Sequence, residues 1–106
     1  MAKDNYFENR SIKCIEKLQN IIETLPYYVE EFFVGIESRT TPLTRLNYAY
    51  DLRVFFDFLS KKTFRGKKDI PDITIDDLNQ LSSSDIELFI SYLSNYTING
   101  KRENCN

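Results

Sequence analysis

The sequence predicts an all-α fold, a small bundle of four to five helices, and three observations lead there. Only three Gly and three Pro occur in 106 residues, too little punctuation for many short strands joined by turns. Apolar residues make up 42% of the chain and aromatic residues 14%, which excludes a disordered polypeptide. These apolar residues recur at steps of three and four in successive stretches, the spacing of one helical face.

Residues 1–10 are expected to form a disordered N-terminus. Residues 11–25, SIKCIEKLQNIIETL, set Ile12, Ile15, Leu18, Ile22 and Leu25 on one face of an amphipathic helix. Pro26 has no N–H, so it ends that helix and suits the first turn of the next. In PYYVEEFFVGIES, Tyr28 or Val29, Phe32, Phe33 and Ile36 point inward, and Gly35 weakens the last turn.

The stretch SRTTPLTRLNYAYDLRVFFDFLSKK, residues 38–62, has a well-marked start. A residue before proline is pushed towards extended geometry, which is also N-cap geometry. Thr41 therefore caps a helix that begins at Pro42 and runs to about residue 62. At about 100° per residue, Tyr48, Leu52, Phe55 and Leu59 form the core stripe, widened by Ala49, Val54, Phe56 and Phe58. Leu46, Tyr50, Arg53, Asp57 and Lys61 fall opposite, towards solvent. TFRGKKDIPD, residues 63–72, has the Gly, Pro and charge density of a loop. ITIDDLNQL is an irregular lead into a short helical turn, or else opens with a brief strand at 73–75. Ser82 caps the last helix, residues 82–96, with Asp85 at N3 and Leu81 placed to staple against Ile86; Ser84 with Glu87 offers a second register. Ile86, Phe89, Ile90 and Leu93 line its inner face. Residues 97–106 read as a flexible polar tail.

No apolar run approaches the roughly 18 residues of a membrane span, and MAKDNYFENR lacks the apolar stretch of a signal peptide, so the chain reads as cytoplasmic. Cys14 and Cys105 have no CxxC spacing and are expected to be two free thiols. The absence of histidine removes Ser-His and Cys-His catalysis together with the commonest metal ligand, so neither a metal nor a cofactor is expected. The net charge of −2 conceals a division. Residues 1–38 carry four Lys/Arg against seven Asp/Glu, and residues 69–106 carry two against seven. Residues 39–68 carry eight against two, a net +6 between acidic flanks.

The pattern T-x3-Y-x2-D-L-x2-F-x3-L, filled by Thr44, Tyr48, Asp51, Leu52, Phe55 and Leu59, resembles the N-terminal core-binding domain of tyrosine recombinases, the phage-integrase-like family. YYVEEFFVGIES is similar to that family's first core-binding helix, and ITIDDLNQLSSSDIELFISYL to its loop and third helix, so the resemblance covers roughly residues 26–96. It implies a SAM-like orthogonal bundle that clamps duplex DNA for integration or recombination. It implies no chemistry in this chain: the family's tyrosine nucleophile works with arginines, a lysine and histidines of a separate C-terminal catalytic domain, and that constellation cannot be assembled here. A phenol of pKa near 10 is a poor nucleophile without groups to activate it. The chain is therefore expected not to be an enzyme by itself, with 11–96 as the core-binding domain and 97–106 leading to the absent catalytic domain. The family's closing helix is also missing. Either the helix of residues 11–25 covers the apolar face this leaves, the expected case with a monomeric domain, or a patch remains for self-association. The parent would assemble as a tetramer on DNA.

Lys and Arg hold DNA by releasing condensed counterions, and the +6 segment supplies them. At the helix start, free N–H groups with the Thr41 and Thr44 hydroxyls are the expected phosphate anchor. Arg45, Asn47, Tyr50 and Arg53 lie along the following turns, where the resemblance implies that the helix faces the major groove, Arg45 foremost, with Lys61 and Lys62 at the far end. Competing readings are an exposed helix position for Asn47 and an i+4 pair with Asp57 for Arg53. The rival function is a helical protein–protein adaptor docking through Leu46 and Tyr50.

Overall fold

A computed structural model describes the backbone of residues 2–99 and the side chains of residues 9–94. The described residues contain five α-helices and no strand: α1 (Ala2–Ile22), α2 (Tyr28–Ile36), α3 (Pro42–Phe58), α4 (Ile75–Asn79) and α5 (Ser83–Asn99). The brief strand weighed for residues 73–75 does not form. α1 begins at Ala2, well ahead of residue 11, and no Gly or Pro interrupts it. α5 runs past residue 96 to Asn99; residues 100–106 of the expected tail lie outside the described residues.

Local capping chemistry sets most boundaries. Thr41 has extended backbone and its Oγ1 accepts the Thr44 N–H at 3.1 Å, with Pro42 opening α3. Thr74 and Asp77 form a reciprocal capping box at α4, and Ser82 with Asp85 does the same for α5, selecting that register over Ser84 with Glu87. Tyr28 ties α2 to the approach to α4 by donating its hydroxyl to the Ile73 carbonyl at 2.8 Å. Burial, and after it the nearby Asp77 carboxylate, raises the Tyr28 phenol above its ordinary pKa.

α3 is the axis of the molecule. α1 lies along one flank of it, and Cys14, Leu18 and Ile22 of α1 join Leu46, Ala49, Phe56, Phe58 and Leu59 in one core with Leu25, Val29, Phe33, Ile70 and Ile73. α5 covers the C-terminal half of α3 through aromatic contacts: Phe89 meets Phe55 at 5.0 Å and Phe58 at 5.5 Å, and Tyr92 meets Phe58 at 5.1 Å.

Three helix faces differ from expectation, and for α3 the reason is that it has both α1 and α5 as neighbours. Leu46 is 0% exposed, while Tyr48, expected inside, is 42% exposed. In α1, Ile12 and Ile15 lie largely outside and Cys14 takes an inner place. In α5, Phe89 points inward as expected and Tyr92 joins it, while Ile86 and Ile90 turn outward. Cys14 is buried in the core at 2% exposure; Cys105, the second of the thiols expected to be free, lies outside the described residues. α1 does not cover all of the apolar surface either: a trough lined by Tyr28, Phe32, Leu52, Phe55 and Leu78 stays open on the far side of α2 and α3.

Candidate nucleic-acid interface

The eight residues expected to meet DNA do not form one face. Arg45 is the main correction. It is 7% exposed, and its Nη1 donates to the carbonyls of Glu37 (3.0 Å) and Thr40 (2.8 Å) and to Thr40 Oγ1 (3.1 Å). Its side chain lines a cavity with Leu18 and Ile22 of α1 and Phe33 of α2. The guanidinium thus secures the corner between α2 and α3 by satisfying the Glu37 carbonyl at the end of α2 and the Thr40 carbonyl just ahead of α3. It is not available to a groove. Tyr50 is half-buried and packs against the core, so only part of its ring faces solvent. Leu46, the apolar half of the adaptor surface, is wholly buried.

Thr41, Thr44 and Asn47 lie on the open edge of α3 with Tyr48 and Asp51, spaced at steps of three and four. Only part of the expected phosphate anchor is free. Pro42 has no N–H, and the Thr44 N–H is taken by Thr41 Oγ1. Thr41 Oγ1 also donates to Thr44 Oγ1 at 2.9 Å. The Leu43 N–H, which α3 itself does not use, and the Thr44 hydroxyl proton remain as donors. Asn47 is half-buried, and its Oδ1 has no hydrogen-bond partner.

The exposed cations concentrate at the other end of α3. There the α-helix widens into a π-turn, Leu59–Thr63, closed by the Phe64 N–H on the Leu59 carbonyl at 2.8 Å. Lys61 and Lys62 are exposed on it, joined by Arg65 and Lys67 in the following loop. Lys61 pairs with Asp57 at 3.2 Å, so the i+4 partner considered for Arg53 is occupied. Arg53, Lys62, Arg65 and Lys67 make no ion pair among the described residues. Lys68 turns inward to Asp77 at 2.5 Å; that hydrogen bond, with the Thr74 N–H, holds the Asp77 carboxyl below its ordinary pKa.

Arg65 and Lys67 were absent from the expected contacts. The signal that marks them is plain in KKTFRGKK: five cations in eight residues with no acid among them. Tyr48 could have been placed by phasing α3 on its narrow polar edge, Thr41, Thr44 and Asp51, because a helix apolar over most of its circumference is central. Among the described residues no cluster of metal ligands occurs, and no helix is long and apolar enough to cross a membrane.

Two curated proteins resemble the chain. Tyrosine recombinase XerS of Streptococcus mutans is 31% identical over 85 residues, covering 79% of this chain and 24% of XerS. Tyrosine recombinase XerC of Caldanaerobacter subterraneus subsp. tengcongensis is 33% identical over 88 residues, covering 72% of this chain and 25% of XerC. The chain thus spans about a quarter of the length of these relatives. No protein-family model and no solved structure matches it significantly.

Proposed function

The chain carries a tyrosine-recombinase-like domain, and from that premise we propose that it holds duplex DNA for a recombinase whose cutting and rejoining chemistry lies elsewhere in the protein. The exposed surplus of cations at the C-terminal end of α3 is the observation that carries this reading: Lys61, Lys62, Arg65 and Lys67 reach solvent, and among the described residues only Lys61 of these four has a carboxylate within ion-pair distance. Such a surface binds a polyanion through counterion release irrespective of sequence. The open edge of Thr41, Thr44, Asn47 and Tyr48 adds hydroxyl and amide groups of the kind that fix register on a sugar-phosphate backbone or touch base edges. Arg45 supports this surface from behind, through the corner that precedes Thr41.

The relatives named above are recombinases; for this chain we assign holding and not cleavage. Its tyrosines have no histidine anywhere in the sequence to work with, and a phenol needs activating neighbours before it attacks a phosphodiester. The burial of Leu46 and half-burial of Tyr50 remove the surface on which an adaptor role rested.

Fluorescence anisotropy of a labelled 20-base-pair duplex, titrated with the chain at several salt concentrations, tests the proposal. Four phosphate contacts predict that log K falls with log salt at a slope of about −3 to −4. Affinity should lie in the non-specific range of about 10⁻⁴ to 10⁻⁶ M. No binding at 50 mM salt, or binding indifferent to salt, would contradict it.

A further inference from the structure

Arg65 has a backbone φ of 54°, beside Gly66 at 77°. Glycine enters this left-handed region without penalty, whereas an arginine there has its Cβ crowded against the backbone. Strain of this kind persists where the surroundings over-determine it, and the surroundings here are well tied. The Gly66 N–H donates to the Ser60 carbonyl at 2.8 Å and the Lys67 N–H to the Phe64 carbonyl at 2.9 Å. Ser60 Oγ spans the loop to the Lys68 carbonyl at 2.6 Å. Lys68 is anchored to Asp77 and lies 5.7 Å from the centre of the Phe64 ring, which itself packs against the core. The loop is thus held at both ends and across its middle, while Lys62, Arg65 and Lys67 stay exposed and without ion pairs among the described residues. Among the described residues nothing pairs with the Arg65 side chain.

We propose that residues 60–68 form a preformed phosphate-binding loop for duplex DNA, with Arg65 its central contact and Lys62 and Lys67 beside it. The inference rests on the DNA-holding function and gives that function a definite seat away from the start of α3. Rigidity is what the loop contributes: its cations are presented without the ordering cost that a flexible lysine-rich tail incurs on binding. Arg65 suits the central place because its planar fork bonds phosphate oxygens two at a time.

The test uses the full chain, a 20-base-pair duplex and salt between 50 and 200 mM. Arg65→Gly should unfold at or above the wild-type temperature, since glycine relieves the left-handed backbone, yet bind the duplex about tenfold more weakly at 50 mM with a salt slope flatter by about 0.9. Arg65→Lys should keep the slope, and Lys62→Gln and Lys67→Gln should each flatten it. Wild-type affinity and slope in Arg65→Gly would overturn the loop while leaving DNA holding intact. A wild-type chain that ignores the duplex would overturn both. Weaker binding accompanied by a lower unfolding temperature would count against the proposal, because a damaged fold would then account for it.

Discussion

Arg45 carries its charge inside the protein, where three oxygen acceptors take one of its nitrogens. Replacing it with methionine strands the Glu37 and Thr40 carbonyls, so Arg45→Met should lower stability by about 2 kcal/mol in urea unfolding. The salt slope of duplex binding should stay at the wild-type value; flattening by about one unit would show that Arg45 meets phosphate after all. Asp77 gives a pH signature. Its folded-state pKa is lowered by Lys68 and Thr74, so its contribution is complete above the unfolded-state value near 4 and disappears as pH falls through the lowered value. Asp77→Asn should therefore destabilise the chain at pH 7 and differ little from wild type near pH 2, as thermal unfolding at the two pH values would reveal. The caps at Thr41 and Ser82 were legible in the sequence because donor and acceptor lie three residues apart. The burial of Arg45 was not, since its carbonyl partners belong to the preceding corner and its cover to α1.

At the scale of the elements, α3 shows how far periodicity reaches. Its start, its length and its helical character follow from Pro42, the Thr41 cap and the run of apolar residues. Its outward face does not, because α1 and α5 cover different sides of different halves, and a single apolar stripe cannot represent both. Leu46→Ala discriminates between the two phases. Fully buried, it should cost about 3 kcal/mol in denaturant unfolding; on a solvent face it would cost almost nothing. Thr41→Ala should cost about 1 kcal/mol by removing the Thr44 cap. Phe89 and Tyr92 find Phe55 and Phe58, one pair edge-to-face and two tilted, and these ring contacts set the helix's roll where the aliphatic spacing alone points to Ile86 and Ile90.

For the whole molecule, the division of charge along the chain was legible from the start, and folding concentrates part of it further. Of the eight cations in residues 39–68, Arg45 is buried and Lys61 and Lys68 have carboxylate partners; of the other five, Lys62, Arg65 and Lys67 lie exposed just beyond the C-terminal end of α3, Arg39 is exposed ahead of its start and Arg53 is half-buried between them. The continuous contact line expected along the helix from Thr41 to Lys62 gives way to two places, a hydroxyl-lined edge at the start of α3 and a basic loop at its end. Amide chemical shifts followed while the chain is titrated with duplex DNA test this arrangement most directly. The account predicts shifts at residues 39–48 and 60–68 that fade as salt is raised from 50 to 200 mM. Shifts confined to the apolar trough around Phe32, Leu52 and Leu78, or none at all, would contradict it.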